Sequence, residues 1–241
     1  MAINRGNFAK ALWPGVNAWY GEKYNEFPVE YTGLFETQSS SKAFEEDVGI
    51  TGFGLAAVKS EGGSVAYDDM QQGFLTRYTH VAYALGFIIT EEMIEDDQYM
   101  VVGNKKASAL AYSMRQTKEI VGANVYNRGF NSGYVGGDGK EMLATDHPNI
   151  TGGTWANELA TAADISEAAL EQAVIDMGKW TNDRGLKIAV IPQKLIIPVD
   201  LQFDVERILQ SPLQAGNSNN DINALKQRGM FPGGVFVNHY L

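Results

Sequence analysis

Two short motifs contain residue types that enzymes use for catalysis. Ser39-Ser40-Ser41-Lys42 has the Ser-x-x-Lys spacing of some acylating enzymes, but their companion motifs, Ser-Asp-Asn and Lys-Thr-Gly, do not occur in the chain. A glycine-rich stretch ends in Gly139-Lys140, as a phosphate-binding loop would. However, Tyr134 stands where that loop needs its first glycine, and Glu141 replaces the Ser or Thr that would bind magnesium. Neither motif predicts an active site.

The histidines and the clustered carboxylates also predict no metal site and no catalytic site. His80, His147 and His239 are far apart in sequence and form no His-x-x-x-His pair, so a zinc site is not predicted. The acidic runs 45–47 and 91–97 are typical of solvated faces, whereas a catalytic carboxylate pair needs one desolvated member. We therefore predict no catalytic, cofactor-binding or metal-ligating residue and no cofactor.

Composition narrows the class of protein further. The chain has 241 residues, no cysteine and a formal net charge of −10, which excludes thiolate chemistry and argues against tight wrapping of nucleic acid. No run of about 18 apolar residues predicts a membrane span, and residues 1–10 lack the apolar core of a secretory signal.

A long helix predicted over Thr90–Arg128 organises the chain. Thr90 can cap its start, acidic residues follow in the first turns, and Gly129 is a natural stop. Gly103 and Gly122 are candidate bends. The predicted apolar face consists of Met100, Ala107, Leu110, Ala111, Met114, Val121 and Val125.

The residues before this helix look unlike a self-contained domain. In residues 1–45, scattered aromatic residues lie between Pro14, Gly15, Gly21, Pro28 and Gly33, which predicts an extended arm or an irregular lobe packed on its own domain. Residues 46–89 predict a long two-stranded β-excursion with a turn at 61–64 and period-two alternation after Phe74. Such a hairpin needs a surface on which to lie.

The residues after the helix predict an irregular stretch and then a compact α/β lobe. Trp155 is predicted to be a buried anchor, and Ser166 to cap an amphipathic helix. The other predicted elements are a loop at 131–139, strands at 140–145, 187–191, 194–197 and 235–241, a helix opened by Pro198, a polar loop at 211–220 and a short helix at 221–228 that stops at Gly229.

Several stretches, taken together in order, resemble the major capsid proteins of tailed bacteriophages with the Hong Kong 97-type fold. The resemblance covers nearly the whole chain. It is carried by Asn7, Phe8, Lys10, Ala11, Leu12, Pro14 and Gly15, by 24–31 (Tyr-Asn-Glu-Phe-Pro-Val-Glu-Tyr), by 145–148 (Thr-Asp-His-Pro), by 169–173 (Ala-Leu-Glu-Gln-Ala), by 192–203, by 220–223 (Asn-Asp-Ile-Asn) and by 237–241 (Val-Asn-His-Tyr-Leu).

The resemblance implies an α+β capsid fold in four parts. These are an N-terminal arm (1–45), an extended β-hairpin loop (46–89), a peripheral domain with a spine helix (90–150) and a compact α/β axial domain (151–241). In this family the chain normally returns to the peripheral domain with a further strand. Because the sequence stops at Leu241, the resemblance implies that this strand is missing, and either a fragment or processed product or an unusually short subunit is expected. The contacts between subunits are expected at Phe8, Trp13, Trp19, Phe74 and Tyr78.

The function implied is a structural one, with no enzymatic activity. The subunit would self-assemble into hexamers and pentamers of an icosahedral head around double-stranded DNA, without binding a specific sequence and without a membrane. Assembly would take place in the host bacterial cytoplasm, with scaffolding, portal and decoration proteins as partners, and the subunit would end in the virion. Two alternatives stay open: an encapsulin-like shell subunit, and, remotely, a small hydrolase that uses Ser39 or a carboxylate pair.

Overall fold

The computed structural model describes residues 9–90, 92, 99–214 and 221–241. These residues form a mixture of helices and paired strands, as the α+β prediction requires. In chain order the elements are α1 (Ala9–Glu26), α2 (Tyr31–Leu34), β1 (Phe44–Ile50), β2 (Gln72–Thr79), α3 (Tyr99–Asn127), β3 (His147–Pro148), β4 (Thr154–Trp155), α4 (Glu167–Lys179), β5 (Leu195–Pro198), a 3-10 turn (Val199–Leu201), α5 (Gln202–Gln210), α6 (Ala224–Gln227) and β6 (Val235–Asn238).

The chain divides into two compact units. The first contains residues up to Gln38, residues Val81–Asn124 and Tyr240. The second contains Ser39–His80, Val125–His239 and Leu241. None of the described helices is both long enough and apolar enough to cross a membrane.

The predicted long helix is present as α3, which is continuous from Tyr99 to Asn127 and about 43 Å long at 1.5 Å per residue. The predicted acidic start, apart from Glu92, lies outside the described residues. Gly103 and Gly122 lie inside this one helix. The predicted apolar face is only partly buried, because Met100, Val121 and Val125 are exposed. The buried positions instead recur every four residues: Gly103, Ala107, Ala111, Arg115, Glu119 and Ala123.

For residues 9–26, the prediction of an extended or irregular backbone is wrong. Pro14, Gly15 and Gly21 all lie within the 18-residue helix α1. Each such residue costs about 1–3 kcal/mol in a helix interior, but helix propensity is a weak prior that tertiary contacts override. The end of α1 makes such contacts, since Tyr24 packs against Arg115 of α3.

The two-stranded hairpin predicted at 46–89 is present, with shorter strands than predicted. β1 and β2 pair antiparallel from Phe44 opposite Thr79 to Ile50 opposite Gln72, with an irregularity near Gly49. Gly73 packs against this point, where an added Cβ would lie 2.9 Å from the Gly49 backbone. The period-two alternation identified β2 but does not mark a buried face, because most of its side chains are exposed on both sides.

The residues from 140 to 163 differ from prediction in two places. The strand predicted at 140–145 is reduced to a single bridge between Val135 and Glu141. Trp155 is 38% exposed, not buried; it stacks on His147 in the adjoining strand, with ring centroids 4.6 Å apart. A two-stranded ribbon this short cannot enclose an indole.

Within residues 151–241, the helix cap, two paired strands and one helix stop follow the sequence prediction. Ser166 caps α4 by accepting a hydrogen bond from the Ala169 N–H at 3.2 Å. β5 and β6 pair parallel and are joined by α5 and α6, and a core of Leu170, Leu225 and Phe231 lies beneath them. Gly229 ends α6 in a left-handed conformation (φ 60°).

Two predicted strands of this lobe differ from the structure, and part of one predicted loop lies outside the described residues. Residues 187–191 form no strand beyond the bridge between Thr181 and Lys187. β6 ends at Asn238, and Tyr240 beyond it hydrogen-bonds Gln116 of α3. Residues 215–220 of the predicted polar loop lie outside the described residues.

Candidate assembly surface

Two buried charged side chains of α3 hold the segment 24–35 against the helix. The Arg115 guanidinium donates to the Tyr24 carbonyl oxygen from Nε at 3.2 Å and from Nη2 at 3.0 Å. One turn further on, Glu119 Oε2 accepts from the backbone N–H groups of Tyr31 (2.8 Å) and Glu30 (3.2 Å). Both contacts are to main-chain atoms, so α3 recognises the path of this segment through its backbone.

Aromatic side chains complete the docking of segment 24–35. The Phe27 ring lies 4.8 Å from that of Tyr112, and the Lys118 ammonium lies 4.5 Å from the centre of the Tyr31 ring. Gly122 makes the approach possible, because a Cβ there would lie 3.2 Å from the Tyr31 Cβ. Gly122, predicted as a candidate bend, therefore serves packing. Phe27 and Tyr31 are half-buried against their own chain, whereas Tyr112 is 47% exposed.

The residues between β1 and β2 (51–71) extend from a closed neck, and we call them the excursion. The neck is formed by Thr51, which is buried and whose hydroxyl accepts from the Gln71 N–H at 2.9 Å. The Thr51 N–H donates to the Gln71 carbonyl at 3.0 Å. Beyond the neck, the excursion exposes large apolar side chains: Phe53, Leu55 (87%), Val58, Val65, Tyr67 (95%) and Met70. Exposed apolar side chains clustered in this way are typical of interaction sites.

One ion pair connects the excursion to a turn of the α/β lobe. Asp68 contacts Arg184 through Oδ1 and accepts from the Gly54 N–H at 2.7 Å through Oδ2. Together these contacts lower the pKa of the Asp68 carboxyl to about 2, the Arg184 hydrogen bond contributing most. The sequence offered no signal for this pair, whose members are 116 residues apart.

The five residues predicted to contact neighbouring subunits do not form one cluster among the described residues. Phe74 is 36% exposed and lines a cavity of about 270 Å³ with Asp47, Ile150 and Asp183, while Tyr78 is 58% exposed on β2. Trp19 is half-buried in α1. Two of the five cannot be placed, because Phe8 lies outside the described residues and the side chain of Trp13 is not described.

A buried histidine cluster that the sequence did not predict lies in the second unit. His147 Nδ1 is 2.6 Å from Asp138 Oδ2, and Nε2 is 3.2 Å from Asn157 Oδ1. Asn157 in turn binds the Met142 carbonyl (2.7 Å) and the Ala144 N–H (2.9 Å). Burial alone would raise the pKa of Asp138, but hydrogen bonds from His147 and the Lys140 N–H lower it below its ordinary value. With both ring nitrogens engaged, His147 joins loop segments and does not present a base to solvent.

The motifs considered for catalysis are engaged in surface contacts. Lys42 of the Ser-x-x-Lys motif binds Glu45 Oε2 at 3.0 Å, and the Ser40 hydroxyl donates to Glu45 Oε1 at 2.6 Å. These two hydrogen bonds lower the pKa of Glu45, that from Ser40 contributing most. Lys140, after the glycine-rich stretch, pairs with Asp146. Both lysines are therefore held by acidic side chains at the surface.

Comparison with known proteins identifies the class to which this fold and surface belong. A family model described as phage capsid protein matches residues 74–241. Among solved structures, the chain is similar to the procapsid protein of bacteriophage JBD30, with a TM-score of 0.59 and 15% identity over 96% of this chain and 99% of that one. A JBD30 capsid decorated with minor capsid protein trimers gives a TM-score of 0.60 and 14% identity over 89% of this chain and 91% of that one. A comparison with curated proteins gave no match.

The family match covers more than half of the chain. The protein therefore belongs to the phage capsid protein family, and it is a structural subunit of a phage head.

Proposed function

We propose that this subunit self-assembles, through its excursion, into hexamers and pentamers that close an icosahedral head of the Hong Kong 97 type around double-stranded DNA. The observation that carries this proposal is the apolar surface of the excursion, where Leu55, Val58 and Tyr67 are almost wholly exposed. An isolated two-stranded hairpin is marginal in water, and exposing such side chains favours association. A neighbouring copy would supply the surface that covers them.

The four-part division of the chain belongs to the same proposal. Residues 1–45 would be the arm, 46–89 the extended loop, 90–150 the peripheral domain and 151–241 the axial domain. The docking of segment 24–35 on α3 through Arg115 and Glu119 supports an arm that is anchored to its own subunit at that point. Phe8, Trp13, Trp19, Phe74 and Tyr78 are then the proposed contacts to neighbouring subunits.

The subunit would enclose DNA without gripping it and would catalyse no reaction. A net charge of −10 opposes adhesion to a polyanion, so the packaged genome could leave the head freely. The engagement of Lys42 with Glu45 and of His147 with Asp138 supports a purely structural role. We propose scaffolding, portal and decoration proteins as partners, and assembly in the host bacterial cytoplasm.

The test is the solution mass and morphology of the full chain. Light scattering and negative-stain images of the same sample should give capsomers of five or six 26.4-kDa subunits, sheets or closed shells. The double variant Leu55→Ser/Tyr67→Ser should stay monomeric, whereas Ser64→Ala, a change on the same excursion that keeps its apolar side chains, should assemble normally. A monomeric wild-type chain, or shells formed by the double variant, would overturn the proposal.

A further inference from the structure

The excursion is attached to the rest of its unit at two successive points. The first is the neck, where Thr51 and Gln71 bind each other through three hydrogen bonds. The second is Asp68, which bridges the Gly54 N–H on the outgoing strand and Arg184 on the lobe. A Cβ at Gly54 would make only ordinary contacts with this pair, 3.4 Å from Asp68 Oδ2 and 3.7 Å from Arg184 Nη2.

Arg184 is presented by a turn that is itself well fixed. Asn182 Oδ1 accepts from the N–H groups of Arg184 (3.0 Å) and Leu186 (2.8 Å), and the Asn182 N–H donates to the Leu186 carbonyl at 2.8 Å. Gly185 takes the left-handed conformation that closes the turn (φ 78°). The Arg184 side chain is only 22% exposed, so the guanidinium occupies a defined place.

Beyond Asp68 the excursion has almost nothing of its own to hold it. Across residues 55–67, all of which the structure describes, the hydrogen bond from the Gly63 N–H to the Ser60 carbonyl is the single internal one. The orientation of these residues is therefore decided at Asp68 and at the neck.

We propose that Arg184 is a positioning residue for assembly: by pairing with Asp68, it fixes the direction in which residues 55–67 leave the lobe, ready to engage a second copy of this chain. This inference rests on the proposed function of the excursion. A loop held in its bound orientation loses less conformational freedom on association, which increases affinity without adding a contact. Because the pair is partly exposed, its contribution to subunit stability is small, and its effect appears as order.

The orientation can be measured directly because the chain has no native cysteine. Spin labels at Ser64→Cys on the excursion and Ala168→Cys on α4 report one distance within the second unit. Labelled chains are diluted into unlabelled ones so that only intrachain distances contribute. The distribution should be narrow in the otherwise unchanged chain and broad in Arg184→Gln and Asp68→Asn, with Arg184→Lys intermediate.

Assembly kinetics provide the functional readout. Arg184→Gln and Asp68→Asn should slow assembly about tenfold, and the double variant should be no slower than either single variant, because both remove the same contact. Asp69→Asn is the matched control and should behave as wild type. Among the described residues, the Asp69 carboxylate accepts only from the Met70 N–H, at 2.9 Å.

The outcomes separate this inference from the proposed function. A narrow distribution in Arg184→Gln, or an unchanged assembly rate, would overturn the positioning role while Leu55→Ser/Tyr67→Ser still blocks assembly. If Leu55→Ser/Tyr67→Ser assembles normally, the excursion is not the contact and both fail. If Arg184→Gln shows no thermal unfolding transition, it has not folded, and Asp68→Asn is measured in its place. A narrow spin-label distance distribution in Asp68→Asn would refute the inference equally.

Discussion

Replacing Glu119 by alanine should release segment 24–35 from α3. Glu119 is 1% exposed, and its Oε2 accepts two backbone hydrogen bonds, from Glu30 and Tyr31. Hydrogen bonds to a charged group contribute about 1.5–3 kcal/mol each, so the two together amount to roughly 3–6 kcal/mol. Against this, Oε1 is buried without a partner among the described residues, and removing it recovers about 1–3 kcal/mol. Taken at the middle of both ranges, the net cost of the substitution is about 2–3 kcal/mol.

This cost should appear as local opening and not as global unfolding, because the segment can detach and expose its N–H groups to water. At about 1.4 kcal/mol per factor of ten, the amides of Glu30 and Tyr31 should exchange with deuterium about 30–150 times faster in Glu119→Ala. Native-state exchange of the unassembled subunit, followed by mass spectrometry of peptides covering 24–35, measures the change. Glu22→Ala, which removes an exposed carboxylate of α1, is the control. Unchanged exchange at both amides would show that the carboxylate does not hold the segment.

Three further predictions concern the second unit and helix α1. The pKa of the Asp68 carboxyl is lowered from 3.8 to about 2. The stabilisation from its ion pair is therefore complete above about pH 4 and is lost as the pH falls through about 2. A carbon-13 titration of the carboxyl should show a midpoint at about 2. Gly137→Ala should lower the free energy of unfolding in urea by about 1–3 kcal/mol, because the added Cβ would lie 2.5 Å from Thr76 Oγ1. Gly21→Ala should raise it by about 1 kcal/mol, because Gly21 lies inside a helix with open space around it. Equal effects of the two substitutions would refute the packing argument. Ser166→Ala should cost about 1 kcal/mol in the same assay by removing the cap of α4, and Ser166→Asp should retain most of the stability.

Local sequence signals predicted those elements whose stabilising groups are near neighbours in the chain. The cap at Ser166, the helix opened by Pro198 and the stop at Gly229 depend on residues within about four positions of each other, and the structure contains all three. Period-two alternation likewise located β2. The order of motifs along the chain was also enough to predict the phage capsid family, which the family match confirms.

The errors occurred where distant partners outweigh local preference. Pro14 and Gly21 predicted a break in α1, yet the helix continues, and its end packs on α3. The buried face of α3 was predicted incorrectly for the same reason. Charged residues such as Arg115 and Glu119 are usually exposed, but each is buried here because it binds main-chain atoms about ninety residues earlier. Val121 and Val125, which belong to the predicted apolar face, are exposed.

From the sequence alone, the order of motifs indicated the class of protein through its resemblance to phage capsid proteins. Periodicity, caps and turns, which short-range interactions set, predicted the mixture of helices and strands and the positions of the hairpin and the long helix. Only the tertiary structure decided which charges are buried and which apolar side chains are left uncovered. Asp68 and Arg184 meet across 116 residues, and Leu55 and Tyr67 stay exposed because no described residue of their unit covers them. Burial and ion pairing depend on where separate segments of the chain meet, and no local pattern of residue types encodes that meeting.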